Sequence, residues 1–411
     1  MPTPISHRLL DRHRIPGIDP IGRHFAVRPD LYLLPEYAIA LVGDELARLG
    51  GPVISQEKVL VVADHFALPS SIERAEILSR VGEIVRDFGW QDRYEQFTGI
   101  CHQLLLEDSR LGKTSLVVGA DSHTVTAGVT GAWAAGFGSH DLLYALRKDA
   151  IWVEYEDAVA IRIVGKGLGE GTDRWLSGKD IILEVFARLG PEGFHRRCLE
   201  FFDDTENSLS FEQRVPLSNM VVDGGATNGL FAQEPWEAEP ARAQAYESVI
   251  EIDVDQLAAR VARPHSPFDV VEASEAVGTP ITQAYLGSCN SGRLEDFEVA
   301  ARILRGRKVA PGIKAIAIPS SKQAFLDAMR AGYLEVLLEA GFVIGNPSCG
   351  PCGGIDKGIL GKADVCIATM NRNFQGRMGS SESEIWLGSA ATVAASAVVG
   401  SIVTPDRLPP A

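Results

Sequence analysis

The stretch from residue 115 to residue 128, Ser115-Leu-Val-Val-Gly-Ala-Asp-Ser-His-Thr-Val-Thr-Ala-Gly128, holds the pattern that decides the fold. A short apolar run, Ser115–Val118, leads directly into a glycine-bounded turn that is rich in polar side chains. Continuous runs of this kind are typical of buried parallel strands, and ligand sites in α/β sheets gather where such strands end. The stretch therefore predicts a buried strand with a polar loop at its carboxyl end.

The same alternation recurs along the chain. Further strand-like runs are Val59–Val62, Ala158–Val164, Ile313–Ile318 and Val365–Ala368. Amphipathic stretches such as Ser71–Phe88 and Lys322–Arg330 lie between them and predict helices. Strands that alternate with helices favour an α/β fold with parallel sheets.

The bulk composition excludes several classes of protein. The 411 residues are 45% hydrophobic and 23% charged, which is ordinary for a soluble globular chain. A net charge of −15 argues against a nucleic-acid surface. Six cysteines are too few for a disulfide scaffold. Without an apolar signal core or a run of about 18 apolar residues, we expect no membrane contact and a cytoplasmic location.

Two breaks in composition predict domain boundaries. One lies near Tyr155–Asp157, and the other is the Pro-, Ser- and Glu-containing stretch Arg263–Gly278. We therefore expect three α/β domains, at residues 1–156, 157–275 and 276–411.

Two histidines stand out first. Asp64-His65 directly follows the run Val59–Val62, and an aspartate beside a histidine could supply a general acid with a tuned pKa. A histidine capped for local structure is an equally good interpretation of that pair alone. For His102, in Cys101-His102-Gln103, a satisfied core histidine is the better interpretation if the motif is taken alone.

Two further clusters are harder to explain as structure. Asp121, Ser122 and His123 share one glycine-bounded turn, and burying all three without partners is costly. Arg372 and Arg377 follow Asn371 at the end of the run Val365–Ala368. Two guanidinium groups this close suit a di- or tricarboxylic acid, whereas the alternative is a solvated charged loop.

The cysteines complete the pattern. Cys349-Gly-Pro-Cys352 lies sixty residues after Cys289, and three thiols are one short of the four that normally hold an iron–sulfur cluster. An iron without a protein ligand would be open to substrate, which points to catalysis. By itself, Cys-x-x-Cys would equally suit zinc or a redox thiol pair.

Taken together and in this order, these motifs resemble the aconitase family, and within it the stand-alone large subunits of 3-isopropylmalate or homoaconitate dehydratases. The resemblance runs from about Val59 to the C-terminus. It implies three α/β domains around one 4Fe–4S cluster, held by Cys289, Cys349 and Cys352, with the fourth iron acting as a Lewis acid. It also implies a hydro-lyase that dehydrates and rehydrates a 2-hydroxy di- or tricarboxylate.

The resemblance assigns a role to each cluster of residues. Asp64 and His65 would protonate the departing hydroxyl. Asp121, His123 and His102 would line the iron-bound water and substrate, and Arg372 and Arg377 would bind carboxylates. Asn371 would border the cluster, and Ser122 and Asn219 would also contact the substrate. The chain ends without the mobile swivel domain of single-chain relatives, so the carbon base is expected on a separate small subunit. The alternatives are a cluster-bearing, non-catalytic relative or an RNA-binding sensor, which the negative charge disfavours.

Three departures from the family pattern are expected to matter. The usual Asn-Met-x-x-Glu motif becomes Asn219-Met-Val-Val-Asp223, with a carboxylate one methylene shorter. Asn290-Ser291 replaces Thr-Asn after the first cysteine. Tyr32–Tyr37 replaces a polar substrate loop and is expected to offer the substrate an apolar, aromatic stretch instead.

Overall fold

A computed structural model describes residues 2–168, 175–236 and 241–408. The first part of the chain builds a parallel five-stranded sheet. Its elements are α1 (Ile5–His13), β1 (Phe25–Val27), β2 (Leu31–Pro35), α2 (Glu36–Leu49), β3 (Val59–Ala63), α3 (Ile72–Asp87), β4 (Tyr94–Gln96), α4 (Cys101–Glu107), β5 (Leu116–Gly119), β6 (Trp133–Gly136), α5 (Ser139–Lys148) and β7 (Ile151–Val153). The strand order is β4-β3-β2-β5-β6, with β1 and β7 paired separately and antiparallel.

The second part builds a parallel four-stranded sheet. It contains β8 (Ala158–Val164), α6 (Gly178–Phe194), β9 (Cys198–Asp203), α7 (Phe211–Met220), β10 (Asn228–Phe231) and β11 (Ser248–Asp253), with strand order β10-β9-β8-β11. Helices α6 and α7 each begin with a capping box, at Ser177 and Ser210, which satisfies backbone donors at both helix starts.

The third part builds a seven-stranded mixed sheet. It contains β12 (Arg260–Ala262), β13 (Val270–Glu272), β14 (Gln283–Leu286), α8 (Leu294–Leu304), β15 (Lys314–Ala317), α9 (Lys322–Arg330), α10 (Tyr333–Ala340), β16 (Val343–Ile344), β17 (Val365–Ala368), β18 (Glu384–Leu387) and α11 (Ala390–Val399). The order is β13-β12-β18-β17-β14-β15-β16, in which β12 is antiparallel to both of its neighbours. Strands β12 and β13 belong to this sheet although both precede residue 276. The two boundaries between the three predicted domains stay a prediction.

The predicted α/β class is confirmed, and so are the elements that the sequence indicated. The runs at 59–62, 115–118 and 313–318 form β3, β5 and β15 to within a residue or two at each end, and those at 158–164 and 365–368 form β8 and β17. Helix α3 is capped by the Ser71 hydroxyl, and α9 spans the predicted residues. Within the described residues, no helix is long and apolar enough to cross a membrane.

The three parts pack on one another rather than standing apart. One hydrophobic core contains residues from all three of them, including Val125, Phe186, Leu217, Tyr285 and Met370. Polar side chains that follow strands of different sheets are thereby brought against a common cavity.

Candidate active site

One edge of the first sheet supplies half of the site. Strand β2 lies between β3 and β5 and runs parallel to both, so the carboxyl ends of the three strands meet. Asp64 and His65 follow β3, Asp121 follows β5, and Glu36 and Tyr37 begin the helix after β2. The polar groups seen as separate motifs in the sequence therefore face one another.

Asp64 and His65 form a buried carboxylate–imidazole pair. His65 Nδ1 donates to Asp64 Oδ1 at 2.7 Å, and Asp64 Oδ2 accepts the Cys101 backbone N–H at 2.7 Å. Burial favours the neutral ring, but Asp64, Glu36 and Asp121 outweigh it and raise the pKa of His65 to about 10. His65 is thus an imidazolium at neutral pH, and its side chain lines the cavity.

The polar contacts of Glu36 and Tyr37 in the site were not predicted from the sequence. Glu36 is fully buried and accepts the backbone N–H groups of Asp64 and Phe66, at 3.3 and 2.5 Å, so it holds the turn that carries His65. The Tyr37 ring lies edge-on to the His65 ring, with centroids 4.9 Å apart. Burial, together with the charge of Asp64, raises the pKa of Glu36 to about 7.

The prediction for Tyr32–Tyr37 is wrong in its main point. Leu31–Pro35 is a fully buried central strand and not a loop that faces substrate. Tyr32 is turned toward Asp149, away from the cavity, whereas Tyr37 brings a hydroxyl to the site. Local sequence could not reveal this, because it does not tell which strand lies between two others.

Asp121 connects three other residues at the edge of the first sheet by hydrogen bonds. Its Oδ1 lies 3.0 Å from His102 Nε2 and accepts the His123 backbone N–H at 2.8 Å, while its Oδ2 accepts the Tyr37 hydroxyl at 3.0 Å. Burial alone would raise the pKa of Asp121, but His102 and His123 outweigh it and hold that pKa well below its usual range. The carboxylate therefore stays charged.

The second part of the chain reaches the site through Asp223 and Asn219. Asp223 lies in a short turn after α7, with Oδ1 at 3.2 Å from His123 Nε2 and accepting from Arg372 Nε at 2.6 Å. The shorter Asp side chain still connects a histidine of the first part to an arginine of the third. Burial lowers the pKa of His123, but Asp223 and Asp121 outweigh it, so the pKa is raised.

Three cysteine thiols line the same cavity. Cys289 follows β14 after Ser288, whose φ of 82° is uncommon for a residue other than glycine and marks a tight turn. Cys349 directly precedes the short 3₁₀ turn at 350–353, and Cys352 lies within that turn. All six cysteines of the chain are free, and Cys366 is buried within strand β17.

Polar donors surround the cysteine sulfurs. The Asn219 and Asn371 amides lie 3.3 and 3.4 Å from Cys289 Sγ, and Arg377 Nη2 lies 3.6 Å from Cys352 Sγ. Burial raises the pKa of Cys289 to about 12, so without a metal the thiol keeps its proton. Three free thiols around one space, with N–H groups directed at two of the sulfurs, fit a thiolate-ligated metal or cluster.

The two arginines are held differently. Arg372 is engaged by Asp223 and donates to the Ser122 hydroxyl at 2.8 Å. Arg377 lines the cavity and lies over the Phe374 ring, and its Nε is buried without a partner in the described part of the chain. Arg377 is therefore the guanidinium that is free to take up a carboxylate.

The cavity has a volume of about 260 Å³. The predicted residues that line it are His65, His102, Asp121, His123, Cys289, Cys349, Cys352, Asn371, Arg372 and Arg377. The predicted residues Asp64, Ser122, Asn219 and Asp223 do not line it but contact residues that do. Phe66, Gly353 and Ile355 line it as well and were not predicted, and Tyr37 lines it at the end of the stretch that was predicted to face the substrate.

Comparison with known proteins identifies the family of the chain. The family model described as the aconitase family (aconitate hydratase) matches residues 53–235 and 273–400. The chain belongs to the aconitase family. It is 35% identical to the 3-isopropylmalate dehydratase large subunit of Aquifex aeolicus, over 98% of this chain and 97% of the other, and 37% identical to that of Hydrogenobaculum, over 87% and 86%.

The fold also resembles that of a solved aconitase relative. Aconitase X from Thermococcus kodakaraensis, in its holo form, superimposes with a TM-score of 0.50 and covers 87% of this chain and 84% of that one. At 14% identity this likeness concerns the fold alone. As a member of the aconitase family with dehydratase relatives, the chain is a hydro-lyase. Glu36 and Tyr37 precede residue 53, where the family-model match begins.

Proposed function

We propose that the chain is the cluster-bearing large subunit of a hydro-lyase that isomerises a 2-hydroxy di- or tricarboxylic acid by removing and restoring water. The observation that carries the proposal is the shared cavity. Three free thiols, the charged His65 ring and Arg377, whose Nε has no partner in the described chain, all line it. A zinc site on Cys349 and Cys352 would leave the histidines and arginines unexplained.

The three thiols suit one 4Fe–4S cluster, with Cys289, Cys349 and Cys352 as its ligands. Such a cluster supplies a Lewis acid for the substrate hydroxyl through the iron that lacks a protein ligand. The amides of Asn219 and Asn371 support this, because donors to cluster sulfurs stabilise their negative charge. Free thiols also fit the cytoplasmic location proposed from the cysteine content.

His65 is the proposed general acid. Its Nδ1 is committed to Asp64, so Nε2 is the atom left to hand a proton to the departing hydroxyl. The raised pKa keeps this proton in place at neutral pH. Asp64 acts by orienting the ring and stabilising its charge.

Substrate carboxylates are assigned to the arginine side of the cavity. Arg377 offers an Nε–H donor without a partner in the described chain, and Arg372 is fixed by Asp223 and Ser122. A guanidinium fork binds a carboxylate bidentately, which orients the substrate before water leaves. The hydrogen-bonded network of His102, Asp121 and His123 would contact the substrate on the side that carries its hydroxyl group.

The base that removes the carbon-bound proton is proposed to lie on a separate small subunit. The support is the name of the relatives, each a "large subunit" of 3-isopropylmalate dehydratase that this chain matches over nearly its full length. An isopropylmalate- or homoaconitate-like acid is the proposed substrate class. The partner would close the open side of the cavity.

The test is reconstitution of both subunits. The purified chain is loaded anaerobically with iron and sulfide, mixed with the candidate small subunit, and assayed by enoate absorbance with several 2-hydroxy diacids. We expect a brown protein with four irons per chain (the number in one 4Fe–4S cluster) and turnover that needs both subunits. A fully loaded cluster without turnover on any diacid would contradict the proposal, and a colourless zinc protein would contradict the cluster.

A further inference from the structure

Lys179 is a buried lysine to which none of the roles above applies. It is the second residue of α6 and is 4% exposed. The first turn of a helix favours acidic side chains, because the helix dipole is positive there. A buried ammonium is also unfavourable unless it is hydrogen-bonded and its charge is offset. A lysine at this position therefore needs a compensating negative group nearby.

The hydrogen bonds of Lys179 match those of a charged ammonium. Its Nζ donates to Asn290 Oδ1 at 2.8 Å, to the Thr369 carbonyl at 3.0 Å and to the Met370 carbonyl at 2.6 Å, and it also lies 3.2 Å from Met220 Sδ. An ammonium has three N–H groups for these three oxygens, whereas a neutral amine has only two and would turn a lone pair toward the third.

A chain of amides leads from Lys179 to the first cysteine. The Asn290 Nδ2 group donates to Asn219 Oδ1 at 3.1 Å, and the Asn219 Nδ2 group lies 3.3 Å from Cys289 Sγ. Because Lys179 takes the Asn290 oxygen, Asn290 must present its N–H to Asn219, which in turn must present its own N–H to the sulfur. The lysine thus fixes the orientation of both amides.

We propose that Lys179 is a positioning residue for the iron–sulfur cluster, supplying a buried positive charge behind Cys289 and orienting the amides that donate to its sulfur. The inference rests on the proposed cluster. A cluster core with three thiolates carries net negative charge, and nearby charge and hydrogen bonds to sulfur set cluster potentials.

Burial and the neighbouring charges act on Lys179 in opposite directions. Burial lowers the pKa of Lys179 to about 7, while Asp223, Asp296 and Cys289 act in the opposite direction. A bound cluster would add negative charge on the Cys289 side. The lysine and the cluster would each make the burial of the other less unfavourable.

Two substitutions separate the effect of the charge of Lys179 from that of its hydrogen-bond donors. Lys179→Gln keeps hydrogen-bond donors but removes the charge, whereas Lys179→Arg keeps the charge. Lys58→Gln is the control, because Lys58, like Lys179, donates to a backbone carbonyl, but its other acceptor is the Asp149 carboxylate and it lies in the first part of the chain, outside the cavity. The readouts are the midpoint potential of the reconstituted cluster, followed by electron paramagnetic resonance, and the half-life of the cluster in air.

We expect K179Q to shift the potential to more negative values and to lose the cluster faster, since a positive charge stabilises the reduced state. K179R should stay closer to the wild-type potential than K179Q, and K58Q should match the wild type. A loaded K179Q with the wild-type potential and half-life overturns the inference. So does a folded K179R, checked by circular dichroism, that loads no better than K179Q. A wild-type chain that takes up no cluster overturns the proposed function instead.

Discussion

The Tyr37 hydroxyl donates to Asp121 Oδ2 at 3.0 Å, across the edge of the first sheet and from 84 residues earlier in the chain. It also lies 3.1 Å from the Ala120 carbonyl. Burial raises the pKa of Tyr37, with Asp121 adding to the effect, so the hydroxyl remains a donor at every working pH. Tyr37 therefore stabilises the charged form of the carboxylate that also holds His102 and His123.

Replacing Tyr37 by Phe should lower kcat/KM. A hydrogen bond to a charged group contributes about 1.5–3 kcal/mol, which corresponds to roughly a ten- to hundred-fold loss if Asp121 shifts from its working position. Steady-state kinetics of the two-subunit enzyme measures this.

Tyr32→Phe is the matched control for that substitution. Tyr32 donates its hydroxyl to Asp149 and does not line the cavity. Its removal should lower the free energy of unfolding by about 1 kcal/mol and leave kcat/KM unchanged. Equal kinetic losses in both variants would refute the role given to Tyr37.

Asp64→Asn should shift the pH dependence of kcat. With Asp64 present, the pKa of His65 is raised to about 10, so the ring keeps its acidic proton as the pH rises through neutrality. Without that charge the pKa of His65 falls, and the protonated fraction is lost at lower pH. The alkaline limb of the pH profile should therefore move to lower pH, and the maximal rate should fall by roughly 10²–10⁴-fold, the usual contribution of a general acid.

Asp108→Asn controls for the loss of a partly buried, ion-paired carboxylate. Asp108 binds Arg110 and does not line the cavity. The alkaline limb of the pH profile of Asp108→Asn should coincide with that of the wild type. Because Asp64 Oδ2 lies 3.5 Å from Cys349 Sγ, the iron content of each variant is measured first. An unmoved alkaline limb in a fully loaded Asp64→Asn enzyme would exclude His65 as the acid.

The sequence alone was sufficient for the parts of the site that follow predicted strands. Asp64, His65 and Asp121 follow apolar runs whose parallel strands end at one edge of the first sheet, and Arg372 follows β17 of the third sheet. The remaining residues depend on sheet order and on packing between sheets. Tyr37 and Glu36 reach the site because β2 lies between β3 and β5.

Lys179 shows the same limit for contacts between sheets. Its position at the start of α6 gives no local sign that its Nζ meets two carbonyls that follow β17. Hydrophobic periodicity predicts each helix and strand but not which elements pack together. The polar residues at strand ends could therefore be predicted from the sequence, whereas the residues from other elements that hold them in place could not.

Replacing any of the three cavity cysteines by Ser should abolish stable cluster binding. Cys289, Cys349 and Cys352 all line the cavity, so replacing one of them leaves a cluster with only two of its three thiolate ligands. Iron and sulfide analysis after anaerobic reconstitution checks the result. Cys366→Ser and Cys198→Ser are controls, because both residues are buried in strands away from the cavity. A Cys352→Ser variant with the full iron content would contradict the ligand assignment.

Arg377→Gln should raise KM far more than it lowers kcat. Arg377 lines the cavity with a buried Nε that has no partner in the described chain, so a substrate carboxylate would gain a charge-assisted hydrogen bond there. Losing about 1.5–3 kcal/mol of such binding predicts a rise in KM of roughly ten- to hundred-fold. Arg377→Lys should recover only part of it, since an ammonium lacks the planar fork.

Arg263→Gln is the matched control for this arginine. Arg263 is paired with Asp269 and lies outside the cavity, so KM should not change. Arg372→Gln should behave differently from Arg377→Gln, because it leaves buried Asp223 without its ion pair and frees that carboxylate to act on His123 alone. We therefore expect Arg372→Gln to lower kcat and the thermal midpoint together. If Arg377→Gln instead lowers kcat at constant KM, Arg377 does not bind the substrate in its ground state, and its carboxylate-binding role is wrong.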